Sequence, residues 1–131
     1  MTLDSLNYQK IKRNYLKVLK SQGVMSEPFR DKLGQLNRFY LPIGKMINDE
    51  YLKNKKTKII GLTGGQGSGK STISNILKII LKEGFSLETV IFSIDDFYKT
   101  RKERTNLSKK VHPMLMTRGV PGTHDIKMML D

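Results

Sequence analysis

Eight consecutive residues combine glycine, lysine and serine in a pattern suited to binding phosphate. They satisfy G-x-x-x-x-G-K-[ST] and read Gly64-Gly65-Gln66-Gly67-Ser68-Gly69-Lys70-Ser71. Glycine permits positive φ angles, so backbone N–H groups can surround phosphate oxygens without a clash from Cβ. The Lys70 ammonium can reach the terminal phosphates of a nucleotide, and the Ser71 hydroxyl can bind Mg²⁺. The pattern predicts a nucleotide-phosphate site; the alternative is a glycine-rich turn with an exposed lysine.

Two adjacent carboxylates, Asp95 and Asp96, follow a second short apolar segment at 89–94. The carboxyl end of a parallel strand faces the crevice where ligands bind, on the same edge as the phosphate loop. A carboxylate there could accept the proton of an attacking hydroxyl, or bind Mg²⁺ directly or through water. Because side chains alternate along a strand, only one of the two would point at the site. Position alone equally allows helix capping or simple solvation.

The elements around these residues predict a parallel sheet. An apolar segment at 58–63 reads as a buried strand, residues 71–83 as an amphipathic helix ended by Gly84, and 89–94 as a second strand. A strand, helix and strand in this order form a βαβ unit with a right-handed crossover. We therefore expect an α/β domain that begins near residue 58.

The residues before this unit predict a helical N-terminal segment, 1–57. Apolar residues at helical spacing indicate a helix over 4–21, which Gly23 would end. Two further helices are predicted at 28–40 and 42–53, separated at Pro42. The lysine-rich stretch 53–58 reads as a solvated linker.

The residues after the unit predict a capped helix and a turn. Thr100 and Glu103 form a capping box for a helix over about 101–110, whose positive charge is typical of a solvated helix. Pro121-Gly122 indicates a turn, and Asp125 is a plausible N-cap for a last helix. His112, before Pro113, is expected to pack or to hydrogen-bond.

Composition narrows the classes of partner. The 131 residues hold 24 basic and 12 acidic side chains, a net charge of +12, and no cysteine, which excludes disulfides and cysteine-bound zinc. Split by segment the charge is +8 over 1–58, −1 over 59–98 and +5 over 99–131. Because 18 of the 24 basic residues are lysine and no basic stripe carries interleaved aromatics, nucleic acid is not favoured as the main partner. Without a long apolar run or an apolar leader core, neither a membrane span nor a signal peptide is expected, which favours a cytoplasmic protein.

Three motifs in order give the sequence a family resemblance. GGQGSGKST at 64–72, SIDDFYKTRKER at 93–104 and VHPMLMTRGVPGTHD at 111–125 resemble the P-loop small-molecule kinases of the D-glycerate kinase type. These kinases are grouped with uridine kinase, phosphoribulokinase and pantothenate kinase. The resemblance covers about residues 36–131 and includes LPIG at 41–44.

The resemblance implies a three-layer α/β/α P-loop NTPase fold and ATP-dependent phosphoryl transfer to a small-molecule hydroxyl, with D-glycerate as the best acceptor. It implies that residues 64–72 bind the ATP phosphates and that Lys70 stabilises the charge on them. It also implies that Ser71 and Asp95 hold Mg²⁺ and that Asp95 is the general base. Whether Asp95 or Asp96 is the base stays open. The residues implied on the acceptor side are Asp96, Tyr98, Arg118, His124 and Asp125.

The pattern does not finish within 131 residues. A P-loop kinase needs about five strands covered on both faces, and only two are predicted here. Lid arginines and an adenine-side strand are also missing, so we expect the N-terminal part of a longer enzyme, inactive as this segment alone. The alternatives are another acceptor (uridine, pantothenate or a sugar phosphate), a non-catalytic nucleotide-binding module whose basic flanks contact RNA, and a truncated product.

Overall fold

The chain, described as a computed structural model over residues 5–22 and 30–130, divides into two compact units. The first unit is Met1–Ile91 and the second is Phe92–Asp131. The predicted boundary at residues 57 and 58 stays a prediction. Across the described ranges no helix is long and apolar enough to cross a lipid bilayer.

The first unit is built from helices that share an apolar core. The elements are α1 Ser5–Ser21, α2 Lys32–Gln35, a π-helical turn Leu36–Tyr40, α3 Leu41–Leu52 and α4 Lys70–Phe85. Helix α1 packs against α4. The core side chains are fully buried and are Ile11, Tyr15, Leu19, Leu36, Ile76 and Ile80. The i, i+4, i+8 spacing of the three α1 residues confirms the predicted helix, whose proposed stop at Gly23 lies outside the described residues.

The predicted helix over 42–53 is confirmed as α3, with Pro42 in its first turn, but the predicted break before it is wrong. Helix α2 begins after Asp31, whose Oδ1 accepts the N–H of Gly34 at 2.9 Å, and the helical path continues through the π-turn into α3. Proline has no N–H to donate to the carbonyl four residues earlier. Immediately before it, the Leu41 N–H bonds the Leu36 carbonyl five residues back, so the wider turn accommodates the ring. Residues 28 and 29 of the predicted helix lie outside the described ranges.

Helices α3 and α4 approach closely at Gly44. This glycine is buried, and a Cβ added there would overlap the side chain of Ile80 on α4. The small residue therefore permits the two backbones to pack. The predicted helix over 71–83 is confirmed as α4; it runs past Gly84 to Phe85, and its C-cap residue Ser86 has a φ of 55°.

The two predicted strands are not formed in the described residues. Residues 58–63 and 89–93 have irregular backbone, and Ile94 begins a 3₁₀-helix instead of completing a strand. Ile59 is 93% exposed and Val90 is 84% exposed. A parallel strand bonds its backbone to neighbouring strands, so an apolar segment without neighbours has no ladder to join. The βαβ unit and the sheet of the α/β fold stay predictions.

The second unit is made of short elements. They are a 3₁₀-helix Ile94–Phe97, α5 Arg101–Lys110, a 3₁₀-helix Pro113–Met116 and α6 Ile126–Leu130. Helix α5 packs against the second 3₁₀-helix. The predicted capping box of α5 is confirmed, because Thr100 Oγ1 accepts the Glu103 N–H at 3.3 Å and Glu103 Oε2 accepts the Thr100 N–H at 2.8 Å.

Candidate active site

The predicted phosphate loop, residues 64–71, has a backbone suited to turning N–H groups towards an anion. Gly67 and Gly69 have φ angles of 75° and 81°, a conformation that side chains rarely adopt. Gly69 is the N-cap of α4 and supplies no side-chain hydrogen bond. The first N–H groups of α4 therefore point to the loop without a side-chain acceptor, at the positive end of the helix dipole.

Lys70 is turned back into this loop. Its Nζ donates to the carbonyl oxygens of Gly64 at 2.8 Å and Gly65 at 2.7 Å. The positive charge thus lies against the glycine backbone. Neutral carbonyls are weaker partners for an ammonium than phosphate oxygens are, so an incoming phosphate would compete well for Lys70.

The remaining loop side chains are polar and accessible. Gln66, Ser68 and Ser71 are exposed, and the Ser71 hydroxyl makes no hydrogen bond within the described part of the chain. Thr72 is half-buried, and its hydroxyl donates to Gln22 Oε1 at 2.6 Å. Ser71 therefore has its oxygen available as a metal ligand, while Thr72 links α4 to the end of α1.

The two adjacent carboxylates have different surroundings. Asp96 Oδ2 accepts the Ser93 N–H at 2.7 Å, and Ser93 Oγ accepts the Asp95 N–H at 3.2 Å, which together cap the 3₁₀-helix Ile94–Phe97. The capping alternative therefore applies to Asp96. The Asp95 carboxylate is exposed and has no partner in the described ranges. Of the two, Asp95 is free to take a proton or a metal ion.

Three of the predicted acceptor residues meet in the second unit. Tyr98 and His124 pair in an antiparallel bridge and stack their rings, with centroids 4.1 Å apart. The Arg118 guanidinium carbon lies 5.4 Å from the centroid of the Tyr98 ring. His124 Nε2 is buried and bonds to nothing in the described residues. We call these three side chains the aromatic–arginine cluster.

Backbone hydrogen bonds hold the segments that carry this cluster. The Asp125 N–H donates to the Phe97 carbonyl at 2.7 Å, and the Lys99 N–H donates to the Thr123 carbonyl at 2.9 Å. Asp125 Oδ1 accepts the Met128 N–H at 3.1 Å, which confirms it as the N-cap of α6. Thr123 is fully buried, and its hydroxyl donates to the Val120 carbonyl at 2.6 Å.

Arg104 is a buried, hydrogen-bonded residue that the sequence interpretation missed. It is buried, and it donates from Nε to the Lys99 carbonyl at 3.1 Å and from a terminal nitrogen to the Met116 carbonyl. The prediction that α5 is solvated is wrong at this position. A cationic residue within a polar helix gives no hydropathy signal, so only the structure reveals it. His112 behaves as expected, because its Nδ1 accepts the Met114 N–H at 3.2 Å.

The oxygen donors present suit a nucleotide-bound magnesium ion. In the described ranges no three His, Cys, Asp or Glu side chains are grouped to hold a metal by themselves. Magnesium bound to nucleotide phosphates needs only one or two protein ligands, and it prefers hard oxygen donors. In the first unit the Ser71 hydroxyl is an oxygen donor of this kind, and in the second unit the Asp95 carboxylate is another. Among the described residues of its own unit, each is without a hydrogen-bond partner.

Comparison with known proteins gives relatives but no family model and no solved structure that matches. The chain is 42% identical over 74 residues to the uncharacterised kinase mug58 of Schizosaccharomyces pombe, covering 54% of this chain and 26% of the relative. It is 41% identical over 80 residues to the probable ATP-dependent kinase TDA10 of Saccharomyces cerevisiae, covering 58% and 28%. It is 30% identical over 100 residues to a guanine nucleotide-binding protein alpha-2 subunit of Schizosaccharomyces pombe, covering 73% and 27%.

The chain thus spans about a quarter of the length of these curated relatives. Two of the three are named kinases, and the third is named for nucleotide binding. The relatives named as kinases point to a P-loop kinase family.

Proposed function

We propose that this protein is an ATP-dependent kinase that transfers the γ-phosphoryl group to a hydroxyl of a small molecule, with D-glycerate as the preferred acceptor. The observation that carries the proposal is the phosphate loop, in which the Lys70 ammonium lies against a glycine backbone before the α4 terminus that lacks a side-chain cap. The similarity to two relatives named as kinases supports it.

The nucleotide would bind through residues 64–72. Backbone N–H groups and the N-terminus of α4 would bind phosphate oxygens, and Lys70 would move from the Gly64 and Gly65 carbonyls to the β- and γ-phosphates. The Ser71 hydroxyl and the Asp95 carboxylate would hold Mg²⁺. When bound, the ion supplies neutralisation of charge on the phosphates.

Asp95 would act as the general base. The acceptor oxygen forms a bond to the γ-phosphorus, the bond from that phosphorus to the β–γ bridging oxygen breaks, and ADP leaves. The proton of the acceptor hydroxyl goes to the Asp95 carboxylate. The free state of this carboxylate, against the capping role of Asp96, supports the assignment.

The acceptor would bind at the aromatic–arginine cluster, with Asp96 and Asp125 beside it. Arg118 presents a guanidinium whose planar donors match a carboxylate in two hydrogen bonds. D-glycerate carries both a carboxylate for Arg118 and hydroxyls for transfer. Among the alternatives, uridine is neutral, whereas pantothenate, which is a longer carboxylate, and a sugar phosphate are anionic.

The test is an acceptor panel with purified full-length protein. We expect ADP formation from ATP with D-glycerate at a higher kcat/KM than with uridine, pantothenate or a sugar phosphate. Lys70→Met should abolish turnover, whereas Lys78→Met, which changes an exposed lysine on the same helix, should retain it. Activity on uridine and not on glycerate would overturn the acceptor assignment. No phosphoryl transfer to any acceptor would overturn the kinase.

A second candidate is a nucleotide-binding module without transfer activity. The similarity to a protein named as a guanine nucleotide-binding subunit favours it. Such a module would bind GTP or ATP and phosphorylate none of the four acceptors. Calorimetric titration with both nucleotides, run beside the acceptor panel, separates the two candidates. If the protein also binds RNA with an affinity that falls steeply as the salt concentration rises, this would support RNA contact by the basic flanks.

A further inference from the structure

Arg104 is a buried cation whose partners are backbone carbonyls. It is 8% exposed, whereas Arg101, Lys102, Lys109 and Lys110 on the same helix are exposed. Burying a guanidinium costs free energy unless hydrogen bonds compensate it. Over the described ranges no carboxylate pairs with Arg104, and its donors reach the carbonyls of Lys99 and Met116. Its hydrogen bonds therefore join two segments of the main chain, one at Lys99 and one at Met116.

Both stretches carry residues of the aromatic–arginine cluster. Lys99 directly follows Tyr98, and Met116 lies two residues before Arg118. The Lys99 N–H also bonds the carbonyl of Thr123, the neighbour of His124. Each member of the cluster is thus within two residues of a backbone group in the network that Arg104 organises.

We propose that Arg104 is a positioning residue for the acceptor site. Its planar fork donates in two fixed directions, which sets the Tyr98 segment against the Arg118 segment and so maintains the stack on His124. The inference rests on the proposed function, because it takes the cluster to be the acceptor site. Lysine keeps the charge and lacks the fork, so Arg104→Lys removes the geometry selectively.

If Arg104 only stabilised the fold, any variant that destabilises this unit to a similar extent would have the same effect. Two control variants separate the structural role from the positioning role. Leu115 is 9% exposed and belongs to the same unit, so Leu115→Val loosens its core without removing a donor or an acceptor of the Arg104 hydrogen bonds. Arg101→Lys makes the same chemical change at an exposed position of α5. Melting temperatures of all variants report the structural component.

The first measurement is independent of enzyme activity. Histidine Cε1–H signals are resolved in ¹H–¹³C spectra, and the signal that disappears in His124→Asn is that of His124. A ring stacked at 4.1 Å on Tyr98 has a shifted resonance. We expect Arg104→Lys to move the His124 signal, and Leu115→Val and Arg101→Lys to leave it in place. An unmoved His124 signal in Arg104→Lys would overturn the inference.

The second measurement is kinetic. Arg104→Lys should raise the KM for the acceptor about tenfold or more, with the KM for ATP unchanged, since the loss is one of placement. An equal rise in Leu115→Val would show that stability alone matters and overturn the inference. If Arg104→Lys and Arg104→Gln both fail to fold while Leu115→Val folds, the residue is structural and the inference is also overturned. Absent activity in the unmodified protein counts against the proposed function, and the histidine spectrum still decides the role of Arg104.

Discussion

The two units of this chain are stabilised by different interactions. In the first, the fully buried core is apolar side chains of α1 and α4 together with Leu36. Over the described residues 92–130 of the second unit three side chains are buried: Arg104 and Thr123, which are polar and bond backbone carbonyls, and Leu115. Apolar burial is non-directional, whereas hydrogen bonds fix angles. The phosphate loop therefore depends on the packed helix that follows it, and the aromatic–arginine cluster depends on directional backbone hydrogen bonds.

The largest effect expected from this difference is in the first unit. Ile80→Ala should lower the free energy of unfolding by about 2–4 kcal/mol, because Ile80 is fully buried and packs over Gly44. Urea denaturation measures the change. Ile59→Ala is the matched control at 93% exposure and should cost less than about 0.5 kcal/mol. An equal cost at Ile59 would show that the predicted strand 58–63 is packed in a sheet.

A second difference appears at alkaline pH. Burial raises the pKa of Tyr15 to about 12, with Tyr40 and Asp31 adding to the shift. Because the pKa is raised in the folded state, the neutral Tyr15 phenol contributes its full stabilisation below the ordinary tyrosine pKa near 10. That stabilisation is lost as the pH rises from about 10 towards 12. Tyr15→Phe should remove on the order of 2 kcal/mol of this alkaline destabilisation.

Unfolding curves at several pH values measure the Tyr15 effect. Tyr15→Phe also loses the hydrogen bond from its hydroxyl to the Lys32 carbonyl at 2.9 Å, which costs about 1 kcal/mol at every pH. The test is therefore the slope of the unfolding free energy against pH in the alkaline range. Tyr40→Phe is the comparison, since burial also raises the pKa of Tyr40. A Tyr15→Phe protein with an unchanged alkaline slope would contradict the apolar surroundings assigned to this phenol.

The smallest effect is expected at the cap of α5 in the second unit. Thr100→Ala should cost about 1 kcal/mol, because it removes the acceptor for the Glu103 N–H. Thr117→Ala, at an exposed threonine of the same unit, should cost less than about 0.5 kcal/mol. The hydrogen bonds from Thr100 lower the pKa of Glu103. The ionised carboxylate therefore stabilises the helix at pH values above the ordinary glutamate pKa, and this stabilisation is lost as the pH falls through the lowered value. Helix content of the two variants by circular dichroism, followed from pH 7 to pH 2, checks both points, and equal acid curves would contradict them.

The parts of this fold that could be predicted are those encoded by local patterns. Spacing of apolar residues predicts α1 and α4, and the Thr100 and Glu103 pair predicts α5. The phosphate loop stays a prediction, which the sequence allows because its chemistry requires glycine and lysine at fixed positions.

The parts that could not be predicted depend on longer-range geometry. An apolar segment such as 58–63 has the same appearance whether or not neighbouring strands are present to pair with it. The helical path through Pro42 depends on a π-turn that no residue type specifies. The burial of Arg104 depends on two carbonyls, at Lys99 and Met116, whose approach only the folded chain creates.

The two adjacent aspartates give the most direct test of the proposed kinase. In the full-length protein, Asp95→Asn should lower kcat for D-glycerate phosphorylation by about 10²–10⁴-fold, the range of general base catalysis, and leave the Kd for ATP within about twofold. Asp96→Asn keeps an oxygen that can accept the Ser93 N–H, so kcat should stay within about tenfold. Because Asp96 is proposed to lie beside the acceptor, the acceptor KM should rise. Undiminished turnover in Asp95→Asn, or loss of kcat in Asp96→Asn instead, would contradict the assignment of Asp95 as the base.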